Sequence, residues 1–149
     1  MKPLKPIVFA LSILLTSFVV KAQEKVITAV VPPAGVPVTT TDGKKIYIAV
    51  EKDPGFRGGL QNFYQYLIQN ITYPPNAAKN RIQGKVFLTF VIEKDGSLSD
   101  VKVVRGVSTD IDAEAIRVVA NSPKWIPGLQ NGHPVRVQYT MPINFTLPN

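Results

Sequence analysis

The sequence predicts a mixed fold of the α+β class within its 149 residues. Three observations lead to this prediction. Apolar residues recur at helical spacing between residues 60 and 71, an Asp-Gly turn joins two alternating segments, and a long alternating segment lies near the end of the chain. Hydrophobic residues make up 45% and charged residues 18%, as in ordinary globular proteins, so general disorder is excluded. The length suits one domain.

Residues 1–22 have the pattern of a secretory signal peptide. Lys2 and Lys5 give a positive start, and the fourteen residues Ile7–Val20 are almost entirely apolar. We expect cleavage before Gln23. The alternative is an uncleaved signal anchor, for which the stretch is short because a spanning helix needs about 20 apolar residues.

Residues 23–53 are expected to form an extended linker. Pro32, Pro33 and Pro37 favour an extended chain. Ile46–Val50 is a short β-prone run, which is either a peripheral strand or part of the tether. The folded domain is expected to occupy residues 54–149.

Three helices are predicted in this domain. The first follows Gly58-Gly59 and ends before Tyr73-Pro74-Pro75, because proline cannot continue the helical ladder. Its apolar residues predict one buried stripe: Leu60, Phe63, Tyr64, Leu67, Ile68 and Ile71. Pro75 suits the first turn of a second, short helix that reaches Asn80. The third helix is expected from about Ile111 to Asn121, with Ile111, Ala115, Val118 and Val119 as its buried stripe.

Two strands are predicted between the second and third helices. Lys85–Glu93 and Leu98–Arg105 alternate, and the Asp95-Gly96 turn between them suits a hairpin because glycine adopts a positive φ at low cost. Val86, Leu88, Phe90 and Ile92 face the expected core. Phe87, Val91 and Val104 fall on the opposite face, where they form an apolar patch that another surface could cover.

The last strand is expected to run from Val135 to Phe145. Pro142 lies within it and cannot donate a ladder hydrogen bond, so the strand is predicted to lie at a sheet edge. If Pro142 points its nitrogen outward, Arg136, Gln138 and Thr140 direct their N–H groups to the same free side. An ordinary protected sheet margin is the alternative interpretation.

Several classes of function are disfavoured by composition. The chain has no cysteine and a single histidine, His133, so disulfides and multi-histidine metal sites are excluded. Asp110, Asp112 and Glu114 are explained by helix capping, and Trp125 by core packing. The 17 basic and 10 acidic residues are scattered, which argues against nucleic-acid binding. We expect no enzyme, no metal and no cofactor.

The ordered motifs of the second half resemble the C-terminal domain of TonB, the periplasmic energy transducer of Gram-negative envelopes. The resemblance covers about half of the chain. Its motifs are Tyr73-Pro74, Ile82-x-Gly84-x-Val86, Val91-x-x-x-Asp95-Gly96, Asp112-x-Glu114-Ala115, Val118-Val119, Pro123-x-Trp125-x-Pro127-Gly128, Gly132-x-Pro134-Val135 and Pro142-Ile143-Asn144-Phe145.

This resemblance implies a three-stranded antiparallel sheet with helices packed on one face. It also implies a periplasmic location and binding to outer-membrane TonB-dependent transporters, whose N-terminal segment adds as a strand beside the last strand. The partner-binding residues carried over are Thr72, Tyr73, Val135, Arg136, Val137, Gln138, Tyr139 and Thr140.

The sequence departs from a full transducer in its N-terminal part. Family members have an uncleaved inner-membrane helix that engages a proton-driven motor, and a long proline-rich spacer. Here the apolar segment suits cleavage and the linker is short, so motor proteins are expected as partners only if the segment remains as an inner-membrane anchor facing the periplasm. A periplasmic scaffold that self-associates, as a homodimer, through the Phe87, Val91 and Val104 face is the alternative function.

Overall fold

The computed structural model describes residue 35, residues 37–39 and residues 43–148. The expected signal peptide and most of the expected linker lie outside these residues. The described elements are β1 (Pro37–Thr39), β2 (Lys45–Tyr47), α1 (Gly59–Asn70), α2 (Pro75–Lys79), β3 (Gly84–Ile92), β4 (Leu98–Arg105), α3 (Thr109–Ala120), β5 (Gly128–Gln130), β6 (His133–Val135) and β7 (Val137–Phe145). Among the described residues no helix is long and apolar enough to cross a bilayer.

The main sheet has five strands in the order β1-β2-β7-β3-β4, so the expected number of three is wrong. The antiparallel unit β7-β3-β4 is present as predicted. Two short strands extend it, because β2 pairs in parallel with the start of β7 and β1 pairs antiparallel with β2. The β-prone run that begins at Ile46 is therefore partly a peripheral strand, and the Ile46 side chain is buried.

The packed part of the chain begins before Pro54, although the sequence predicted that the folded domain starts at Pro54. Lys52 and Leu129 exchange backbone hydrogen bonds of 3.2 and 2.9 Å, and Val50 is buried. Glu51 accepts hydrogen bonds from the Gln130 side chain and from the Asn131 N–H, each 3.0 Å long. Contacts with the β5–β6 hairpin thus fix a segment that was expected to be linker.

The core lies between one face of the sheet and the three helices, as predicted for an α+β domain. Val86, Leu88, Phe90 and Ile92 of β3 are buried there. They pack with side chains from every helix, including Phe63, Leu67, Ala77, Ile111, Ala115, Val118 and Val119. Burying apolar surface of this kind is the main source of folding free energy.

Trp125 occupies the centre of this core and is 1% exposed. Its ring meets Phe56, Phe63 and Phe90 at centroid distances of 5.3 to 5.5 Å. The indole N–H donates to the Ser122 hydroxyl at 3.1 Å, so its polar atom is satisfied. The predicted core role of Trp125 is confirmed.

The third helix follows the sequence closely. Ser108 is its N-cap, and the Ser108 hydroxyl accepts a 3.4 Å hydrogen bond from the Ile111 N–H. All four residues of the predicted stripe are buried. Asp110 and Asp112 lie in the first turn, where the positive end of the helix dipole favours negative charge.

The first helix departs from its prediction. Gly58, with φ of 80°, is the N-cap, and the helix ends before the prolines as expected. Within the helix, however, only Phe63 and Leu67 are buried, whereas Leu60, Tyr64 and Ile68 are 49%, 47% and 78% exposed. The predicted single buried stripe is therefore only half covered.

The last strand is also shorter than predicted. The chain forms β6 up to Val135 and resumes as β7 at Val137, with Arg136 between them. β6 pairs with β5 in a separate two-stranded sheet, and β7 pairs with β3 along all nine of its residues. Val135 therefore belongs to a different sheet from the strand it was expected to begin.

Candidate strand-addition site on β7

The backbone of β7 has one side bonded to β3 and another side facing away from it. Phe87 lies opposite Pro142, which has no N–H, so this is a pair without mutual hydrogen bonds. The Arg136 carbonyl, of the same parity, accepts a 2.9 Å hydrogen bond from Tyr47 on the far side of β7. Both observations show that the even-numbered residues direct their backbone groups away from β3, as Pro142 predicted.

The first part of this outer side is covered by the chain itself. The parallel register pairs Tyr47 with Val137, so Tyr47 donates to Arg136 and its carbonyl faces the Gln138 N–H. Two of the three outward positions predicted to be available, Arg136 and Gln138, are therefore engaged by β2. Thr140 is the one that remains.

The backbone beyond Gln138 forms what we call the open flank, which comprises Thr140, Pro142 and Asn144. Two N–H groups, those of Thr140 and Asn144, and the three carbonyls point outward. Within the described residues no protein group bonds to either N–H. An unpaired row of this kind is a template for another extended chain.

An apolar groove of about 500 Å³ runs beside the open flank. The α1 wall contributes Tyr64, Leu67 and Ile68, and the strand wall contributes Pro142–Thr146. Two of the three exposed side chains of the half-covered helix stripe, those of Tyr64 and Ile68, thus line this groove. We call it the α1 groove, and its remaining lining residues are Ile71, Tyr73 and Lys85.

The rim of the α1 groove after the helix is held by α3. Arg117 donates 2.6 and 2.7 Å hydrogen bonds to the Glu114 carboxylate and another of 2.7 Å to the Asn70 carbonyl. Glu114 in turn accepts a 2.7 Å bond from the Thr72 N–H. The Arg117 hydrogen bonds hold the pKa of Glu114 below its ordinary value, with a further contribution from Thr72.

Tyr73 completes this rim. Its hydroxyl donates to the Ile82 carbonyl at 2.5 Å, and its ring packs edge-on against Phe145 at a centroid distance of 5.9 Å. Thr72 and Tyr73 therefore have fixed positions at the end of the groove. Thr72 and Tyr73 were predicted to bind a partner, and this contact stays a prediction.

The start of β7 is anchored by an ion pair between Arg136 and Glu93. The Arg136 side chain donates 2.7 and 3.0 Å hydrogen bonds to the two carboxylate oxygens. Glu93 also accepts a 2.5 Å bond from the Ser99 hydroxyl. These bonds, with the one from Arg136 first, lower the pKa of the Glu93 carboxyl. The ion pair therefore fixes Arg136, whose backbone carbonyl accepts the hydrogen bond from Tyr47 of β2.

The other predicted partner-binding residues face different surroundings. Val135 pairs with Gly128 in the small sheet, and Val137 is buried. Tyr139 is half-buried between Phe90 and Trp125, with centroid distances of 5.9 Å to both. Gln138 and Thr140 are the two predicted residues whose side chains are exposed on the outer face of β7.

The apolar patch expected on the outer face of the sheet is divided. Val91 is 2% exposed, whereas Val104 is 60% exposed. The Arg105 guanidinium lies 5.8 Å from the Phe87 ring centroid and covers part of it. A continuous self-association surface is not formed by these three residues, and a homodimer stays a prediction.

Two of the three candidate carboxylates, Asp112 and Glu114, have structural partners. Asp112 accepts a 2.8 Å hydrogen bond from the Val107 N–H, and Glu114 is engaged as described above. Among the described residues, no three side chains of His, Cys, Asp or Glu are grouped so as to hold a metal ion. His133 lies exposed at the start of β6.

Two features of the site were missed by sequence reasoning. The groove was missed because helical spacing shows which residues share a face but not whether another element covers that face. The cover from β2 was missed because the short Ile46–Val50 run suits either a peripheral strand or a tether. The β-branched residues of that run were the available signal.

Comparison with known proteins identifies one family. The model of the Gram-negative bacterial TonB protein C-terminal family matches residues 69–147. No curated protein matches the chain.

The similar solved structures include two NMR solution structures of the Helicobacter pylori TonB C-terminal domain. The one of residues 194–285 is 24% identical, with a TM-score of 0.47 over 58% of this chain and 91% of that chain. The one of residues 179–285 is 23% identical, with a TM-score of 0.46 over 60% and 81%.

Proposed function

This chain belongs to the family of Gram-negative bacterial TonB protein C-terminal domains, and on that premise we propose that it is a non-catalytic, periplasm-facing binding module. Its partner is the extended N-terminal segment of an outer-membrane TonB-dependent transporter, which adds as a strand to the open flank. Through this contact the chain supports energised uptake across the outer membrane. The observation that carries the proposal is the unpaired backbone of Thr140, Pro142 and Asn144 beside the α1 groove.

The open flank supports binding of an extended chain rather than of a helix or a small molecule. Its two N–H groups and three carbonyls are spaced as in a strand, so only a strand can pair with all of them. Pairing through the main chain accepts many sequences, which suits a module that serves transporters with different N-terminal segments.

The α1 groove supports selection among such segments. Alternate side chains of an added strand would point towards α1 and towards the outer face. The first set would meet Tyr64, Leu67 and Ile68, which favour apolar groups. The second set would lie beside Thr140 and Asn144, which are exposed and polar. We therefore expect partners that alternate apolar and polar residues.

The strength of the complex follows from these two contributions. Five strand-addition hydrogen bonds at ~1 kcal/mol each give ~5 kcal/mol. Two apolar side chains buried in the groove add ~2–3 kcal/mol each. Association entropy costs at least ~4 kcal/mol. At most ~6 kcal/mol therefore remains, which corresponds to a dissociation constant of about tens of micromolar or weaker, so the complex is transient.

Titration of the labelled protein with synthetic peptides tests the proposal. The peptides cover the N-terminal segments of the TonB-dependent transporters of the same organism, and NMR chemical shifts report binding. We expect Ile68→Asp to weaken binding at least tenfold without unfolding the protein, because Ile68 is 78% exposed and lines the groove. Gln65→Asp is the matched control, since it adds the same charge to an exposed α1 position that does not line the groove.

Two outcomes would contradict the proposal. One is the absence of binding by any of the peptides. The other is equal weakening by Ile68→Asp and Gln65→Asp, which would show that charge on α1, and not the groove, is responsible.

A further inference from the structure

We propose that β2, through Tyr47, determines where a partner strand can begin to pair with β7. This inference rests on the proposed function, because it concerns the register and length of the same added strand. Tyr47 is then a specificity-determining residue: it ends the available backbone at Gln138 and limits the partner to the stretch beside Thr140–Thr146.

The first argument is that β2 and a partner strand would use the same side of β7. The Tyr47 N–H donates to the Arg136 carbonyl at 2.9 Å, and the parallel register turns the Tyr47 carbonyl to the Gln138 N–H. Both acceptor and donor lie on the side that carries Thr140 and Asn144. A strand that paired along all of β7 would have to remove β2.

The second argument is that β2 is held from three directions. Ile46 is buried, so leaving β7 would expose an apolar side chain to water. β1 pairs with β2 on its other edge, over the register Pro37↔Tyr47 to Thr39↔Lys45. Just after β2, Val50 is buried and Lys52 is bonded to Leu129. A partner that displaced β2 would form only the two hydrogen bonds that β2 already makes, and the protein would lose the contacts that hold β2.

The third argument is the length of backbone that remains. Thr140–Thr146 covers seven residues, or roughly 20 Å at the rise of a strand. The α1 groove lies beside this same stretch, with Pro142–Thr146 in its lining. The end of β2 and the start of the groove thus define one short segment in which both the main chain and the side chains of a partner find contacts.

Backbone amide exchange in the free protein tests this assignment without a partner. In the wild type we expect slow exchange at Gln138 and fast exchange at Thr140 and Asn144. Tyr47→Pro removes the donor that holds β2, so Gln138 is expected to exchange at least tenfold faster. Tyr47→Phe keeps the N–H and is the matched control. Slow exchange at Val137 and Tyr139, which face β3, would show that each variant remains folded.

The assignment is overturned if Gln138 exchanges as fast as Thr140 in the wild type. It is also overturned if Tyr47→Pro leaves Gln138 slow, since β2 would then stay on β7 without the Tyr47 N–H, and the role given to Tyr47 would fail.

Peptide binding provides the second readout. A transporter peptide of about eight residues should bind Tyr47→Pro roughly tenfold more tightly than the wild type, because two more backbone groups become available. A peptide of about five residues should bind both equally. Loss of Tyr47 amide protection when a peptide binds the wild type would overturn the assignment, because β2 would then yield to the partner. Absence of peptide binding to every variant would refute the proposed function, while the exchange pattern would still decide the role of β2.

Discussion

Replacement of Thr140 by proline is the most direct perturbation of the open flank. The Thr140 N–H points away from β3, so its loss leaves the β3–β7 ladder intact. Pro142 already occupies a position of the same parity. The Thr140 hydroxyl lies 3.4 Å from the Thr89 hydroxyl, and this exposed contact is lost. We expect the free energy of unfolding to fall by ~1–2 kcal/mol, including the restriction of φ by the proline ring.

The effect on binding should be larger than the effect on stability. The partner carbonyl that faced Thr140 would meet a proline ring and lose its hydrogen bond. An unsatisfied polar group costs ~1–3 kcal/mol, which corresponds to a dissociation constant about 5 to 150 times higher. Titration calorimetry with the tightest transporter peptide measures this change. Thr140→Val is the matched control, because it keeps the N–H and the β-branched shape while removing the hydroxyl.

The reasoning is refuted if Thr140→Pro and Thr140→Val bind the peptide equally well while both remain folded. Equal binding would mean that the Thr140 N–H makes no contact with the partner. The added strand would then lie elsewhere or pair in another register.

Two further predictions concern stability. Gly96→Ala should destabilise the fold by more than ~2 kcal/mol, measured by urea unfolding, because φ is 85° and the new Cβ would lie 2.0 Å from the Trp125 carbonyl oxygen. Gly43→Ala isolates the backbone strain and should cost less, because φ is 77° and the described residues, its chain neighbours aside, place no atom within 4 Å of the new Cβ. Glu93→Gln should cost ~1–3 kcal/mol at neutral pH, since it removes the charge from a two-bond pair whose side chains are only 25% and 18% exposed. The pKa of the Glu93 carboxyl is lowered in the folded state. The ion pair with Arg136 therefore stabilises the fold above pH 4.5, the ordinary pKa of the group, and this stabilisation is lost as the pH falls through the lowered pKa. Thermal unfolding of Glu93→Gln between pH 7 and pH 3 should therefore show a weaker loss on acidification than the wild type, and equal losses would contradict this.

Much of the fold could be predicted from local sequence. The Asp95-Gly96 turn fixes the β3–β4 hairpin, because Gly96 supplies both the positive φ and the space beside Trp125. The prediction of a buried stripe on α3 was correct because a sheet and two other helices cover that face of the helix. These elements are determined by residues near one another in sequence or by a fully buried face.

The remainder depends on contacts that the sequence does not specify locally. The α1 stripe looks like the α3 stripe at the level of spacing, yet its Leu60, Tyr64 and Ile68 side remains exposed. The pairing of Tyr47 with Val137 joins residues 90 positions apart through a single register pair. Pro142 predicted that the last strand lies at a sheet edge, but β7 lies between β2 and β3, and only its part beyond Gln138 is open because β2 is short.

Mapping of backbone amides in a complex with a transporter peptide tests the central claim most directly. The account predicts new protection at Thr140 and Asn144, the even-numbered donors of the open flank, and unchanged protection at the odd-numbered residues of β7. Protection gained along Leu98–Arg105, at the opposite edge of the sheet, or only at odd-numbered residues of β7 would contradict it.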